Sequence, residues 1–252
     1  MTNREKYNFD FFTIDNYNKV IQLAIDRGFQ FILHKDEFNS ERKDVIWRHD
    51  VEFSTEVALK MAEIENHAGV RTTYFFQLHT DYYNILSPYH SNILREIKNL
   101  GHHIGLHFDS HYYSIDSEEK LDKYIRLDTE YLEKLFEIKL DTFSFHNTNP
   151  FILSCEGYKY GGLINVYSSF FKTKYNYCSD SNGYWRFEKL DEVLNDPSVK
   201  HLQVLIHDGM WSEKVLSPRQ RIIKCVMNNA KRMIERRDDG LLRKGILNID
   251  DL

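Results

Sequence analysis

The sequence predicts an α/β fold. Short β-rich runs alternate with amphipathic helical stretches, several runs end in polar or charged residues, and no repeat or low-complexity linker divides the chain. Such alternation gives a mostly parallel sheet, open or closed into a distorted barrel, because parallel neighbours need a crossover and a helix is the usual one. The 252 residues can bury a substantial core. A single domain, 1–252, is therefore expected.

Taken in order, Tyr17, Val20, Ile21, Ala24 and Ile25 fall at helical spacing, and Gly28 is placed to stop that helix. Phe29 to Leu33 reads as a short strand, His34 to Lys43 as a polar loop, and Val45 to Phe53 as the next strand. Ser54 can cap a helix whose apolar stripe is Val57, Met61, Ile64 and Ala68. Gly69 ends it, and Thr72 to Leu78 is β-rich. Ile93, Leu94, Ile97 and Leu100 line a helix stopping at Gly101, which leads into His102 to His111. Asp116 with Glu119 can open a long helix carrying Leu121, Ile125, Leu132 and Leu135. Thr142 to His146 is a strand, Leu163 to Phe171 has β character, and Asp180 to Arg186 is a polar turn. Leu190 to Leu194 fits a short helix and Leu202 to His207 a strand. Ser217 and Pro218 cap a final helix whose apolar residues are Ile222, Ile223, Val226, Met227, Ala230, Met233 and Ile234.

Composition narrows the partners. A net charge of −5 and the lack of a basic block argue against nucleic acid. No secretory signal and no apolar run of about 20 residues is visible, so a cytoplasmic protein without a membrane span is expected. Cys155, Cys178 and Cys225 are odd in number and far apart, which suits reduced core thiols better than a disulfide frame. The 16 Tyr and 17 Phe suit either a sugar-binding pocket or a generous core.

In parallel α/β folds, chemistry gathers at the carboxyl ends of strands. In Trp47-Arg48-His49-Asp50-Val51-Glu52, alternation puts Arg48, Asp50 and Glu52 on one face. Burying them costs several kcal/mol each, by rough estimate, unless a metal or counter-ion is present. A solvated salt bridge at a strand edge is the alternative. His107 and His111 could be half of a metal site or two surface histidines. In a continuous strand their Cα atoms would stand roughly 13 Å apart, so the strand must end near His107 and the chain must curl for both to meet one ion. His146 and Asn147 end the third run and His207 the fourth, where a histidine is well placed as a general acid. Asp180 and Trp185 offer a carboxylate orienter and an aromatic wall, or simply a turn and a core tryptophan.

In this order the motifs resemble the polysaccharide deacetylases, carbohydrate esterase family 4 with the NodB-homology fold, over about residues 45–209. The resemblance implies a distorted (β/α) barrel and metal-dependent removal of N- or O-acetyl groups from sugars. It places His107 and His111 on the family's two metal-binding histidines and Glu52 on its metal-binding aspartate. Asp50 falls on the catalytic base, Asp180 and Trp185 on the late Asp/Trp motif, and His207 on the general acid. Two departures stand out. Glu52 carries one methylene more than the family's aspartate, and the base-positioning arginine expected near Phe145 to Pro150 is missing. His146 or Asn147 occupies that place, and Arg48 is the substitute on the same face as Asp50. The expected cofactor is a divalent metal, Zn²⁺ first, with Co²⁺, Ni²⁺ or Mn²⁺ as alternatives. The expected substrate is an N-acetylated amino sugar, nucleotide- or lipid-linked if the protein is cytoplasmic. An N-deformylase or other C–N hydrolase, and a carbohydrate-binding relative without turnover, are the rival readings.

Overall fold

The computed structural model describes residues 1–185 and 187–249; Arg186, the last residue of the expected polar turn, lies outside them. The first half runs α1 (Asn3–Tyr7), α2 (Ile14–Asp26), β1 (Gln30–Ile32), β2 (Asp44–Val51), α3 (Thr55–His67), β3 (Thr73–Gln77), α4 (Pro88–Asn99), β4 (His103–Asp109) and α5 (Glu118–Phe136). The second half runs β5 (Thr142–His146), α6 (Pro150–Ser154), β6 (Lys159–Tyr160), β7 (Leu163–Asn165), α7 (Ser169–Lys174), β8 (Asn176–Ser179), α8 (Leu190–Asn195), β9 (His201–Ile206) and α9 (Pro218–Leu242). Side-chain caps set several starts. Ser54 Oγ accepts from Val57 N, and Ser217 forms a reciprocal box with Gln220. The start of α5 is one residue later than the sequence suggests: Ser117 caps it, while Asp116 pairs with Lys120.

The strands form one sheet in the order β6-β7-β5-β4-β3-β2-β9-β8, with β1 beside the first half of β2. All pairs are parallel except β6 with β7. The sheet curls into a partial barrel. Ile46 of β2 and Ile164 of β7 are several strands apart yet share a small cluster with Ile32, Phe171 and Tyr175. The gap between β7 and β8 has no strand pairing among the described residues, and α7 covers it with Phe171.

Strand alternation divides the side chains. Trp47, Val51, Tyr74, Phe76, Leu106, Phe108, Phe143, Val204 and Ile206 point outward into two large apolar clusters against the helices. Burying each of these large side chains contributes about 1.5–3 kcal/mol. The inward positions carry Arg48, Asp50, Gln77, His107, Ser144, Gln203 and His207. The sheet's helix-covered face holds the fold together, and its concave face is left for polar groups. Phe75 fills part of that concavity opposite Gly105, where a Cβ would stand 2.4 Å from the ring. Gly105→Ala is expected to cost about 1–3 kcal/mol by overpacking, read as a lower urea midpoint. An unchanged midpoint would show that the ring can yield.

Two expectations need correcting. Leu163 to Phe171 is not one strand: β7 stops at Asn165 and α7 begins at Ser169. Of the apolar residues expected on the buried face of the last helix, Ile222 packs against the core but most of the others do not. Met227, Met233 and Ile234 are each 62% exposed, because α9 docks instead through Arg221 and Cys225. The Arg221 guanidinium takes over the usual apolar anchor, donating to the carbonyls of Gly183 and Phe9. The three cysteines are free and buried. Among the described residues, no helix is long and apolar enough to cross a membrane.

Candidate active site

Parallel pairing brings the ends of β2, β4, β5 and β9 to one mouth of the sheet. Asp50, Glu52, His111, Asn147 and His207 line a cavity of about 540 Å³ there. At its side, Glu52 receives His107 Nε2 at 3.0 Å and His146 Nδ1 at 2.7 Å on the same oxygen. One ligand-capable atom from each of Glu52, His107 and His146 lies within 4.8 Å of the others. Burial pushes the Glu52 carboxyl up, but hydrogen bonds from His107 and His146 and the charge of His207 outweigh it and hold the group below the usual carboxylate range. Burial pulls His146 down, and the bond to Glu52 more than restores it.

His107 is held from behind. Ser144 Oγ donates to Asp50 Oδ1 at 3.1 Å and so accepts from His107 Nδ1 at 2.7 Å. That turns Nε2 toward Glu52, where a bound ion would take the place of the Nε2 proton while Nδ1 keeps its own. Asp50 has a second neighbour in Arg48, whose Nη2 is 3.7 Å from Oδ2 and donates to Tyr167 at 3.1 Å. Arg48 is fully buried, and pairing with Asp50 offsets the cost of burial and keeps it cationic.

Just past the end of β9, His207 Nδ1 donates to Asp180 Oδ1 at 2.7 Å. The buried Asp180 also accepts from His207 N at 3.0 Å and from Trp211 Nε1 at 2.8 Å. Burial alone would lower the His207 pKa; Asp180, with Glu52 and Asp50 behind it, raises it to about 9. The ring is an imidazolium at neutral pH, with Nε2 left to donate.

Two sequence-proposed residues are placed differently: His111 lines the cavity but stays out of the Glu52 cluster, and Trp185 is not in the cavity lining. β4 continues to Asp109, two residues past the point where the chain needed to curl, and the turn then sends the His111 ring to the Asn147 carbonyl at 2.6 Å. His146 stands in its place, with Asn147 donating to the ring at 2.8 Å. Trp185 is not a wall of the cavity: it packs against Phe12 and Trp211, with centroids 5.0 and 6.3 Å away. The tryptophan that meets Asp180 is Trp211. Ser144 was readable from the alternation in Phe143-Ser144-Phe145-His146, which puts it on the same face as His146. Trp211 and Tyr167 carried no local signal.

No protein-family model matches the sequence, and no curated protein is significantly similar to it. Solved structures with a similar trace include a family 4 carbohydrate esterase from Bacillus anthracis, at 17% identity and TM-score 0.44, covering 90% of this chain and 87% of that one. The chitin deacetylase of Colletotrichum lindemuthianum matches at 18% identity and TM-score 0.47, over 79% and 86% of the two chains. The peptidoglycan deacetylase PdaC of Bacillus subtilis matches at 15% and 0.45, over 82% and 99%.

Proposed function

We propose that this protein is a metal-dependent hydrolase that removes an N-acyl group, N-acetyl first, from an amino sugar. The observation that carries the reading is the convergence, at one mouth, of a carboxylate–imidazole–imidazole set with a separate carboxylate and a carboxylate-backed imidazolium. One oxygen and two nitrogens match the donor composition of catalytic zinc sites that keep positions open. Glu52, His107 and His146 would hold the ion; once bound, it supplies Lewis acidity toward water and the acyl oxygen.

The remaining steps belong to the side chains. Asp50, held by Ser144 and Arg48, takes a proton from the attacking water as oxygen adds to the acyl carbon. The carbon–nitrogen bond then breaks as His207 Nε2 gives its proton to the departing amine. Asp180 keeps the ring in register, since three hydrogen-bond donors from His207 and Trp211 converge on it. The resemblance to polysaccharide deacetylases favours acetyl over formyl as the acyl group.

The test separates the two histidine assignments. Zn²⁺ or Co²⁺ binding is measured by calorimetry on the purified chain and on His146→Ala and His111→Ala variants. His146→Ala is expected to weaken binding by about 10–100-fold or more, on the scale of losing even an outer partner of a site. His111→Ala should bind as the parent does. Equal loss in both variants would put His111 back among the ligands, and no metal binding by the parent would end the hydrolase reading.

A further inference from the structure

The last helix is attached along one side and leaves another uncovered. Arg221, Cys225, Asn229 and Arg232, three or four residues apart, hold α9 to the body. Arg221 donates to the Gly183 carbonyl, Cys225 Sγ to that of Gly209, Asn229 Nδ2 to that of Tyr82 at 2.8 Å, and Arg232 Nη2 to His90 Nε2 at 2.7 Å. Among the described residues, Arg232 makes the last hydrogen bond from α9 to the elements before it, and the helix continues for about 15 Å beyond. On a different side, Ile223, Val226, Met227, Ala230, Met233 and Ile234 recur at the three- and four-residue spacing of one helical face. The five larger ones are 46–62% exposed. A continuous exposed apolar row of this kind marks an interaction surface.

The charge around this row has one sign in excess. α9 carries seven Lys and Arg against three Asp and Glu, while the rest of the chain carries 26 against 35. Arg219, Lys224, Lys231, Arg236 and Arg237 are all exposed. Of these, Lys231 alone pairs with a carboxylate among the described residues, that of Glu235 at 3.6 Å. Arg243 and Lys244 carry the excess past the helix end. The helix also lies at the working end of the sheet. Its anchors are Gly183 after β8, Gly209 after β9, Tyr82 after β3 and His90 in the first turn of α4, all beyond the carboxyl ends of strands, where the mouth opens.

We propose that α9 docks the protein on a bilayer surface rich in anionic phospholipid, with its apolar row in the headgroup region and its Lys and Arg side chains against phosphate. Such a helix lies along the interface and does not cross it. A second copy of α9 would set the same excess of cations against itself. The lipid surface supplies the opposite sign and takes up apolar side chains without a shaped pocket. Docking holds the mouth beside the lipid. The proposal stands apart from the hydrolase reading, because binding to vesicles needs neither metal nor Glu52 and His207.

Co-sedimentation of the full chain compares vesicles of phosphatidylcholine alone with vesicles of equimolar phosphatidylcholine and phosphatidylglycerol. The mixed vesicles are expected to bind at least about tenfold more tightly, with the difference shrinking as salt is added. The double variant Arg236→Gln, Arg237→Gln loses two surface charges at about fivefold each and should bind mixed vesicles about 10–30-fold more weakly. Ile234→Asp should weaken binding by about tenfold or more, because a carboxylate enters the row that meets the lipid. Both variants change exposed residues and should keep the parent's thermal midpoint. No vesicle binding by the parent, equal binding to the two compositions, or full-strength binding by Ile234→Asp would each overturn the proposal. A parent dimer that Ile234→Asp splits, with no vesicle binding, would give the row to a second copy and overturn it as well.

Discussion

His207→Ala is expected to keep its divalent ion and lose about 10²–10⁴-fold in turnover, the usual worth of a general acid. The ring lies outside the Glu52–His107–His146 set, so metal affinity should hold while catalysis collapses. The pH profile gives the same residue a second signature. The His207 pKa is raised to about 9, so the acid is in its working form below that value and lost above it. Activity should therefore fall on the alkaline side, with a limb at or below pH 9. A bound cation would cancel part of the Glu52 charge that supports the high value and move the limb down. Asp180→Asn should move it further, because the first source of that raised value is gone. An alkaline limb that stays in place in Asp180→Asn would show that another group supplies the proton. The two measurements fail independently.

The second large effect concerns stability. Behind β2, on the face away from the cavity, His49 lies between Glu65 Oε1 and Asp208 Oδ1, at 2.8 Å from each, with all three side chains fully buried. Tyr74 and Thr72 donate to the other Glu65 oxygen at 2.7 and 2.8 Å, and Tyr17 donates to Oε1. Removing Glu65 takes one of two carboxylates from the buried His49 and strands the hydroxyls of Tyr17, Thr72 and Tyr74, on the scale of about 3–5 kcal/mol for breaking a buried ionic group. Glu65→Ala should lower the urea midpoint by that equivalent. A loss under about 1 kcal/mol would mean water enters and repairs the gap. Burial works against both charges, yet each group's partners win, raising His49 to about 10 and lowering Glu65 to about 2. The signs follow. The Glu65 contribution is present above its ordinary pKa and lost as pH falls toward 2. The His49 contribution is complete below its ordinary pKa and lost as pH rises through 10. This part of the stability should therefore be greatest near pH 5–6, by the ordinary values of about 4.3 and 6.5. Thermal midpoints across pH for the parent and for Glu65→Ala would show it.

Local rules made the strands legible. Asp50 and Glu52 could be placed on one face because a strand has only two, and Asp180 could be set near His207 through motif order. What stayed hidden depends on where a chain stops being extended. His107 and His111 read as a pair, yet β4 runs to Asp109, and the ring that meets Glu52 beside His107 is His146. Trp185 and Trp211 are equally aromatic in sequence; both pack against Phe12 in the core, and only the turn after His207 aims an indole N–H, that of Trp211, at Asp180. The α9 stripe misled for a related reason. Helical spacing identifies a face, but Arg221 turned a different one inward. The same alternation that puts Asp50 on the cavity side sends His49 to the opposite side of β2, where it meets Glu65 and Asp208.

The division of each strand between an oily outer row and a wet inner row lets two kinds of change proceed separately. A substitution at an inward position such as Ser144 or Gln203 alters the reaction vessel while the helix-packed layer keeps the chain folded. Variation confined to those rows changes what the cavity accepts before it touches the packing that holds the chain folded.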